Sequence, residues 1–497
     1  MLTRHLKIDR QRILPWICAM GACLLLAGLG QAASAAEAGA PVGELLVGAA
    51  AISITPDQPV ALQGQMHTRI SKSVESPVMA CVLALEGRRG EQAGDQAVFV
   101  ACDLAVLRGG VIEQVRQRVK DRLPDLDVTR LVFNATHTHS APVLVEGAYD
   151  IPKDGVMQPT EYFEFLVGRL CDAIAQAWQS RQPGRISWGL GHAVVAQNRR
   201  AVYADGHAQM YGNTNQPDFR AIEGFEDHAI HALFFWDGDG KLLATAINVA
   251  CPAQEVESNL AISADYWHEV RQRLQARLGH DLVVLGWIGA AGDQSPHLLF
   301  RKAAEERMRN LRGLSRLAEI ARRIDTAWAE VYDVAQKEQH AEVAFAHRVE
   351  TIELPGRVVT PEECEQARAQ AEALSKDPAQ TTRMNWHQRV VTRYEQQQRD
   401  GQAEPYLMEL HVVRLGDVAI ATNDFELYTD FGVAMQARSP ALQTIVIQLA
   451  GGGSYLPSER AVRGGGYGAI PQSNRVGPEG GQVLVDGTLD LIQSLWK

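Results

Sequence analysis

Short apolar runs recur along this chain, and each breaks abruptly into a polar or glycine-rich turn. Residues 45–54 end at Thr55-Pro56, and residues 80–85 and 96–102 are compact and apolar. Leu131-Val132-Phe133-Asn134 leads directly into Thr136-His137-Thr138-His139-Ser140. Residues 186–193 read as another strand, residues 229–236 close on Asp237-Gly238-Asp239-Gly240, residues 242–249 stop at Cys251-Pro252, and residues 282–288 meet Gly289. Apolar runs this short, bounded by turn residues, read as strands buried on both faces. Helical spacing fills the intervals. Val111, Ile112, Val115, Val119 and Leu123 share one face after Gly109-Gly110, with Pro124 as the stop. Residues 161–180, 265–278 and 483–495 repeat the pattern. Residues 301–335 and 362–398 are helical in spacing and highly charged, as solvated helices packed on one side are. Strand signals return at 406–415, 418–422 and 445–449, and residues 451–481 read as glycine-rich loop. This alternation predicts an α/β fold, a single large domain of mixed sheets with flanking helices over residues 36–497.

Residues 1–35 read apart from that domain. Arg4, Lys7, Arg10 and Arg12 precede an apolar run from 13 to about 29, and Ala33 and Ala35 put small residues at the −3 and −1 positions of a cut after Ala35. That is the pattern of a secretory signal peptide, and it predicts a secreted or periplasmic protein. The composition, 46% hydrophobic and 22% charged, is that of a globular chain and excludes whole-chain disorder. Forty-eight Lys and Arg against 59 Asp and Glu give a net charge of −11, without the basic excess that a nucleic-acid backbone demands. Seven cysteines in 497 residues make no disulfide scaffold. Cys81, Cys102, Cys171, Cys251 and Cys364 follow the leader; the number is odd, so at least one is unpaired, either buried and inert or used as a ligand or nucleophile.

The polar turns after the strands hold the residues capable of chemistry. His137 and His139 stand two apart, so on an extended chain both aim to one side, one suited to a metal and one to proton donation. Gly289-Ala290-Ala291-Gly292-Asp293-Gln294-Ser295-Pro296 lets the backbone turn sharply and presents Ser295 at the rim, as nucleophile or hydrogen-bond donor; there is no G-x-S-x-G elbow. Asn198-Arg199 follows a strand and a short loop. Cys251, Glu426 and Tyr455 each follow a strand as His137 does, and His, Cys, Glu and Tyr after four strands is the pattern of a zinc site assembled on one sheet edge. His228 and His231 read as structural.

In this order the motifs resemble those of the neutral/alkaline (non-lysosomal) ceramidases, zinc amidases that cleave the N-acyl bond of ceramide. The resemblance runs from about Val47 to Tyr467. It rests on Ile54-Thr55-Pro56 after the opening strand, Thr136-His137-Thr138-His139-Ser140, Asn198-Arg199, Gly292-Asp293-Gln294-Ser295-Pro296, Glu426, and the tyrosine pair Tyr455 and Tyr467. It implies zinc ligands at His137, Glu426 and Tyr455, and at Cys251, where the family's Val-His-Pro is replaced by Ala250-Cys251-Pro252. It implies that His139, Arg199, Ser295 and Tyr467 surround the scissile amide. The function so implied is that of a secreted zinc-dependent hydrolase cleaving an amide by metal-activated water. Its substrate would be a small-molecule or lipid amide, met with at most transient contact to a membrane surface. Cysteine in place of histidine adds a negative ligand and weakens the metal as a Lewis acid. Ser140-Ala141-Pro142-Val143-Leu144 replaces the family's Ser-Gly-Pro-Gly-Gly, and no immunoglobulin-like domain is expected after the catalytic one. These departures leave open another amide or ester substrate, or a non-catalytic binding protein with a degenerate metal site.

Overall fold

The computed structural model describes residues 40–497, so the signal-peptide reading of 1–35 lies outside the described residues. Twelve strands join one mixed sheet. They are β1 (Val42–Ser53), β2 (Met79–Arg89), β3 (Gln92–Cys102), β4 (Leu131–Ala135), β5 (Gln182–His192), β6 (Ala229–Asp237), β7 (Leu242–Val249), β8 (Val283–Ile288), β9 (Glu342–Leu354), β10 (Tyr406–Leu415), β11 (Val418–Thr422) and β12 (Gln443–Ile447). The hub is β1, which pairs with β2 along most of its length, with β5 at Leu45–Val47 and with β9 at Val42–Glu44. Three arms leave it, β2–β3–β4, β5–β6–β7–β8 and β9–β10–β11–β12. Each arm is antiparallel until its last pair, and that pair is parallel: β3 with β4, β7 with β8, β11 with β12.

The inner faces of the arms share one core, in which Leu45, Val47, Phe99, Phe235, Trp287 and Ile420 are buried. The helices are α1 (Val111–Arg122), α2 (Pro159–Gln179), α3 (Tyr266–Leu278), α4 (Lys302–Leu311), α5 (Arg316–Ala335), α6 (Pro361–Leu374), α7 (Thr381–Asp400), α8 (Thr429–Arg438), α9 (Glu459–Gly464) and α10 (Pro478–Trp496), and several of them coat the outer faces of the arms. The first arm is coated by α1 and α2, where Val115, Leu166 and Leu170 meet Val82, Val100 and Phe133. The second is coated by α3 and α5 through Trp267 and Trp328, and the third by α8 and α10 through Met435 and Leu489. Strands covered on both faces need apolar residues at every position, which is why the runs in the sequence are continuous.

The α/β architecture is the one expected, and several element limits differ. The 13-residue strand β9 carries no continuous apolar signal, because His347, Arg348, Glu350 and Glu353 interrupt it. His347 is nonetheless buried there, its Nε2 3.0 Å from Nδ1 of His411 on β10. The 301–335 helix is two helices, with Gly313 between them at φ 65°. The 362–398 helix divides into α6 and α7, and the 451–481 loop contains α9 and the start of α10. Cys81, Cys102, Cys171, Cys251 and Cys364 are all free and buried. Among the described residues no helix is long and apolar enough to cross a membrane.

One buried ion pair joins the first arm to the coat of the second. Asp103, directly after β3, accepts two bonds from Arg271 of α3 at 2.6 and 3.0 Å, and also bonds from Met79 N and Thr136 Oγ1. Both side chains are buried. Removing one partner leaves an uncompensated charge, so Arg271→Ala is expected to lower unfolding stability by roughly 3–5 kcal/mol in urea titration. A loss below about 1 kcal/mol, the range of exposed pairs, would contradict that role.

Candidate active site

The parallel end pairs bring the carboxyl ends of the three arms together, and side-chain amides fasten them. Asn134 on β4 donates to the Gly286 carbonyl on β8 at 3.0 Å, and Asn248 on β7 donates to Val446 on β12 at 2.9 Å. Gln448 N meets the Ile288 carbonyl at 2.9 Å, and Ala135 N meets that of Leu449 at 3.2 Å. The turns that carry His137, Cys251, Ser295, Glu426 and Tyr455 start from this junction, at the strand ends where α/β folds build sites.

His137 leaves β4 with φ 63°, in the left-handed region that side-chain-bearing residues seldom occupy. Its Nδ1–H donates to the Ala105 carbonyl at 2.5 Å, which leaves Nε2 aimed at Glu426 Oε2, 3.2 Å away. Glu426 pairs through its backbone with Tyr455 in the short parallel ribbon Glu426–Leu427 with Tyr455–Leu456, and the two side chains also hydrogen-bond. The buried Arg199 guanidinium donates to Tyr455 Oη at 3.2 Å and to the Gly292 carbonyl at 2.9 Å, and lies 3.8 Å from Glu426 Oε2. Burial alone would raise the Glu426 carboxyl, but His137 and Arg199 outweigh it and hold it at about 2. Burial, reinforced by the Glu426 charge, drives the Tyr455 phenol well above its ordinary value. Gly292 allows this packing, since a Cβ there would meet the Glu426 carbonyl at 2.3 Å.

A second layer orients the first. His139 donates from Nδ1 to Glu257 at 3.0 Å and accepts at Nε2 from Gln254 at 2.8 Å, an arrangement that requires the neutral ring. Burial, the largest influence, lowers its pKa to match. Gln254 Oε1 accepts from Arg199 at 3.2 Å. Glu257 also lies 3.4 Å from His297 Nε2. Burial would lower the His297 imidazole, but Glu257 and Glu255 raise it. Asp293 accepts from Asn198 Nδ2 at 2.9 Å and from Thr429 Oγ1 at 2.7 Å, which clamps the turn between β7's arm and α8.

An open cavity lies over His137, His139, Glu426, Tyr455 and Tyr467. The Tyr467 ring stands 5.5 Å from that of Tyr455, and burial of its hydroxyl pushes the phenol up to about 12. Of the residues expected in one site, the structure brings together His137, His139, Arg199, Glu426, Tyr455 and Tyr467. It does not bring Ser295 to the rim. That side chain is fully buried, and its Oγ accepts from Tyr211 Oη and His297 N, each at 3.1 Å.

Cys251 requires a larger correction. Its side chain packs among Tyr266, Trp267 and Val195, its thiol faces the carbonyls of Val195 and Pro252 at 3.9 and 3.7 Å, and burial pushes the thiol far up, away from the thiolate a ligand needs. The strand end turns the cysteine into the apolar coat instead of towards His137. Among the described residues no three His, Cys, Asp or Glu side chains form a metal-binding group. The donor set suited to a divalent cation is therefore His137 Nε2, Glu426 and the Tyr455 phenol. The bond from His137 Nδ1–H to a carbonyl is the outer contact that metal-bound histidines make. Tyr211, Gln254, Glu257 and His297 complete the site and carry no periodic signal in the sequence; only the position of His297, two residues after Ser295, marked one of them.

Glu257→Gln removes a carboxylate that holds His297 up. A raised folded-state pKa stabilises below the unfolded value of about 6.5 and loses that stabilisation as pH rises through the folded value. In Glu257→Gln the His297 titration seen by NMR should move down and the fall in stability across that interval should flatten. An unmoved His297 titration would remove Glu257 from the network.

No family model matches the chain, and no curated protein matches it by sequence. Among solved structures, neutral ceramidase from Pseudomonas aeruginosa superposes with a TM-score of 0.64 at 18% identity, over 91% of this chain and 75% of that one. A ceramidase complexed with C2 gives a TM-score of 0.63 at 17% identity over the same shares. The hub strand, its three arms and their helical coats are thus the neutral ceramidase fold.

Proposed function

We propose that this chain hydrolyses N-acyl amides outside the cytoplasm, exported by the segment 1–35, with a zinc ion held by His137, Glu426 and Tyr455. The observation that carries the reading is the contact between His137 Nε2 and Glu426 Oε2 at 3.2 Å. With Nδ1–H committed to Ala105, two acceptors face each other, and such a pair needs a cation or a further proton between them. It lies under an open cavity, on a fold shared with an amidase.

Zinc, when bound, lowers the pKa of a water towards about 7 and polarises a carbonyl. The chain's own residues supply the rest. Arg199 sets a permanent positive charge behind Glu426 and Tyr455 and favours their anionic forms. Tyr467 is protonated at neutral pH and reachable from the cavity, so it donates to the carbonyl oxygen as negative charge develops there. His139 Nε2 accepts from Gln254, so it takes a proton for the leaving nitrogen only by giving up that bond, and Glu257 behind Nδ1 steadies the imidazolium that results. Ser295 acts at one remove: it fixes Tyr211, which accepts from Arg199 at 2.9 Å.

Metal content and amide hydrolysis measured together test this. The wild type should hold about one zinc per chain. His137→Ala should lose it and lose more activity than the roughly 10–100-fold that removing an outer partner costs. Cys251→Ser should retain both, since its thiol faces the core. Full zinc occupancy in His137→Ala would reject the ligand set.

A further inference from the structure

The cavity is cationic in a chain of net charge −11. Of the described residues that line it, Arg108 and Arg389 are basic, and Glu426 is the one acid. Glu426 is already engaged by His137 and Arg199. Arg108 donates to the carbonyls of Gly452 and Gly453 at 3.3 and 2.9 Å, contacts that fix its guanidinium without neutralising it. Arg389, exposed on α7, makes no ion pair or hydrogen bond among the described residues. Desolvation lowers the Arg108 guanidinium from its ordinary value; the Glu426 charge offsets part of that, and Arg389 adds to it. The carboxylate behind the same loop, Asp424, accepts a bond from Tyr406 at 2.9 Å.

Arg389 is unpaired and Arg108 is only partly offset by Glu426, so a neutral amide would leave positive charge in the cavity unbalanced. A carboxylate or phosphate supplies the planar, multiply accepting partner that guanidinium matches best. We infer that the substrate is an N-acyl amide carrying an oxyanion, which Arg108 and Arg389 clamp while the amide lies over His137 and Glu426. The inference rests on the hydrolase reading above and narrows its substrate class.

Four matched compounds test it on the whole chain: N-hexanoylglycine against N-hexanoylglycinamide, and N-hexanoylphosphoethanolamine against N-hexanoylethanolamine. Binding is read by calorimetry at low salt, about 0.05 M, where exposed charges are least screened, and hydrolysis by amine release. The acid of at least one pair should bind about tenfold or more tightly than its neutral partner, and whichever pair shows the gap identifies carboxylate or phosphate as the anion. Arg389→Gln should shrink that gap to about twofold with the melting temperature unchanged, because the side chain is exposed and unpaired. Arg108→Gln should shrink it too, and the Arg389 variant decides if loss of the Gly452 and Gly453 contacts unfolds the loop. Equal affinities within both pairs, no binding by any compound, or a gap undiminished in Arg389→Gln would overturn the inference. If the acids bind tightly and none of the four is cleaved, the hydrolase reading fails, and of the inference only the anion clamp of Arg108 and Arg389 is upheld, with the anion a ligand and not a substrate. If neutral amides are cleaved and bound as well as the acids, the hydrolase reading holds and the inference fails.

Discussion

The site depends on buried side-chain amides that bind strand ends across the sheet. Asn134, Asn248 and Gln448 sit where the sheet's three arms meet, and each reaches a backbone group of another strand or turn. The Gln448 side-chain oxygen accepts from both Ala291 and Leu427, so one amide positions the turn after β8 and the ribbon that carries Glu426. In so dry a place a backbone group left unpaired costs about 1–3 kcal/mol, which makes the alternatives to this junction expensive. The three parallel end pairs then have one relative placement, and His137, Glu426 and Tyr455 inherit it.

Charge is balanced at the junction by position. Glu426 is an ionised carboxylate in the interior, tolerated because His137 and Arg199 flank it. Arg199 is itself buried, and its charge is accommodated by Tyr211, Tyr455 and Glu426. Replacing any one member would leave a charge without its partner, the costliest defect a protein interior can hold. The left-handed backbone at His137 and at Leu449, both on the cavity wall, shows that conformational strain is held at the same place.

Much of this was legible. The apolar runs located eleven of the twelve strands of the sheet, because a strand covered on both faces has no polar position to disguise it. The strand β9 escaped because its second half carries exposed polar residues at Arg348, Glu350 and Glu353, and its one buried polar side chain, His347, is satisfied by His411. The motif order placed His137, His139, Arg199, Glu426, Tyr455 and Tyr467 near one another. Cys251 and Ser295 were misjudged, since both follow strands as the others do, and sequence position at a strand end does not give the direction a side chain takes.

The sequence by itself determined the elements and the set of turns that follow them, since periodicity and turn chemistry are local properties. The tertiary structure decided which turn residues face the cavity. His137 turns inwards through a positive φ held by its bond to Ala105, Cys251 turns into the coat of α3 and α5, and Glu257 and His297 arrive from segments with no local signal. These outcomes depend on contacts between residues well separated in the chain, from 32 positions for His137 with Ala105 to 289 for His137 with Glu426. No local pattern encodes an interaction at that range; it exists only once the three arms have closed on a common core.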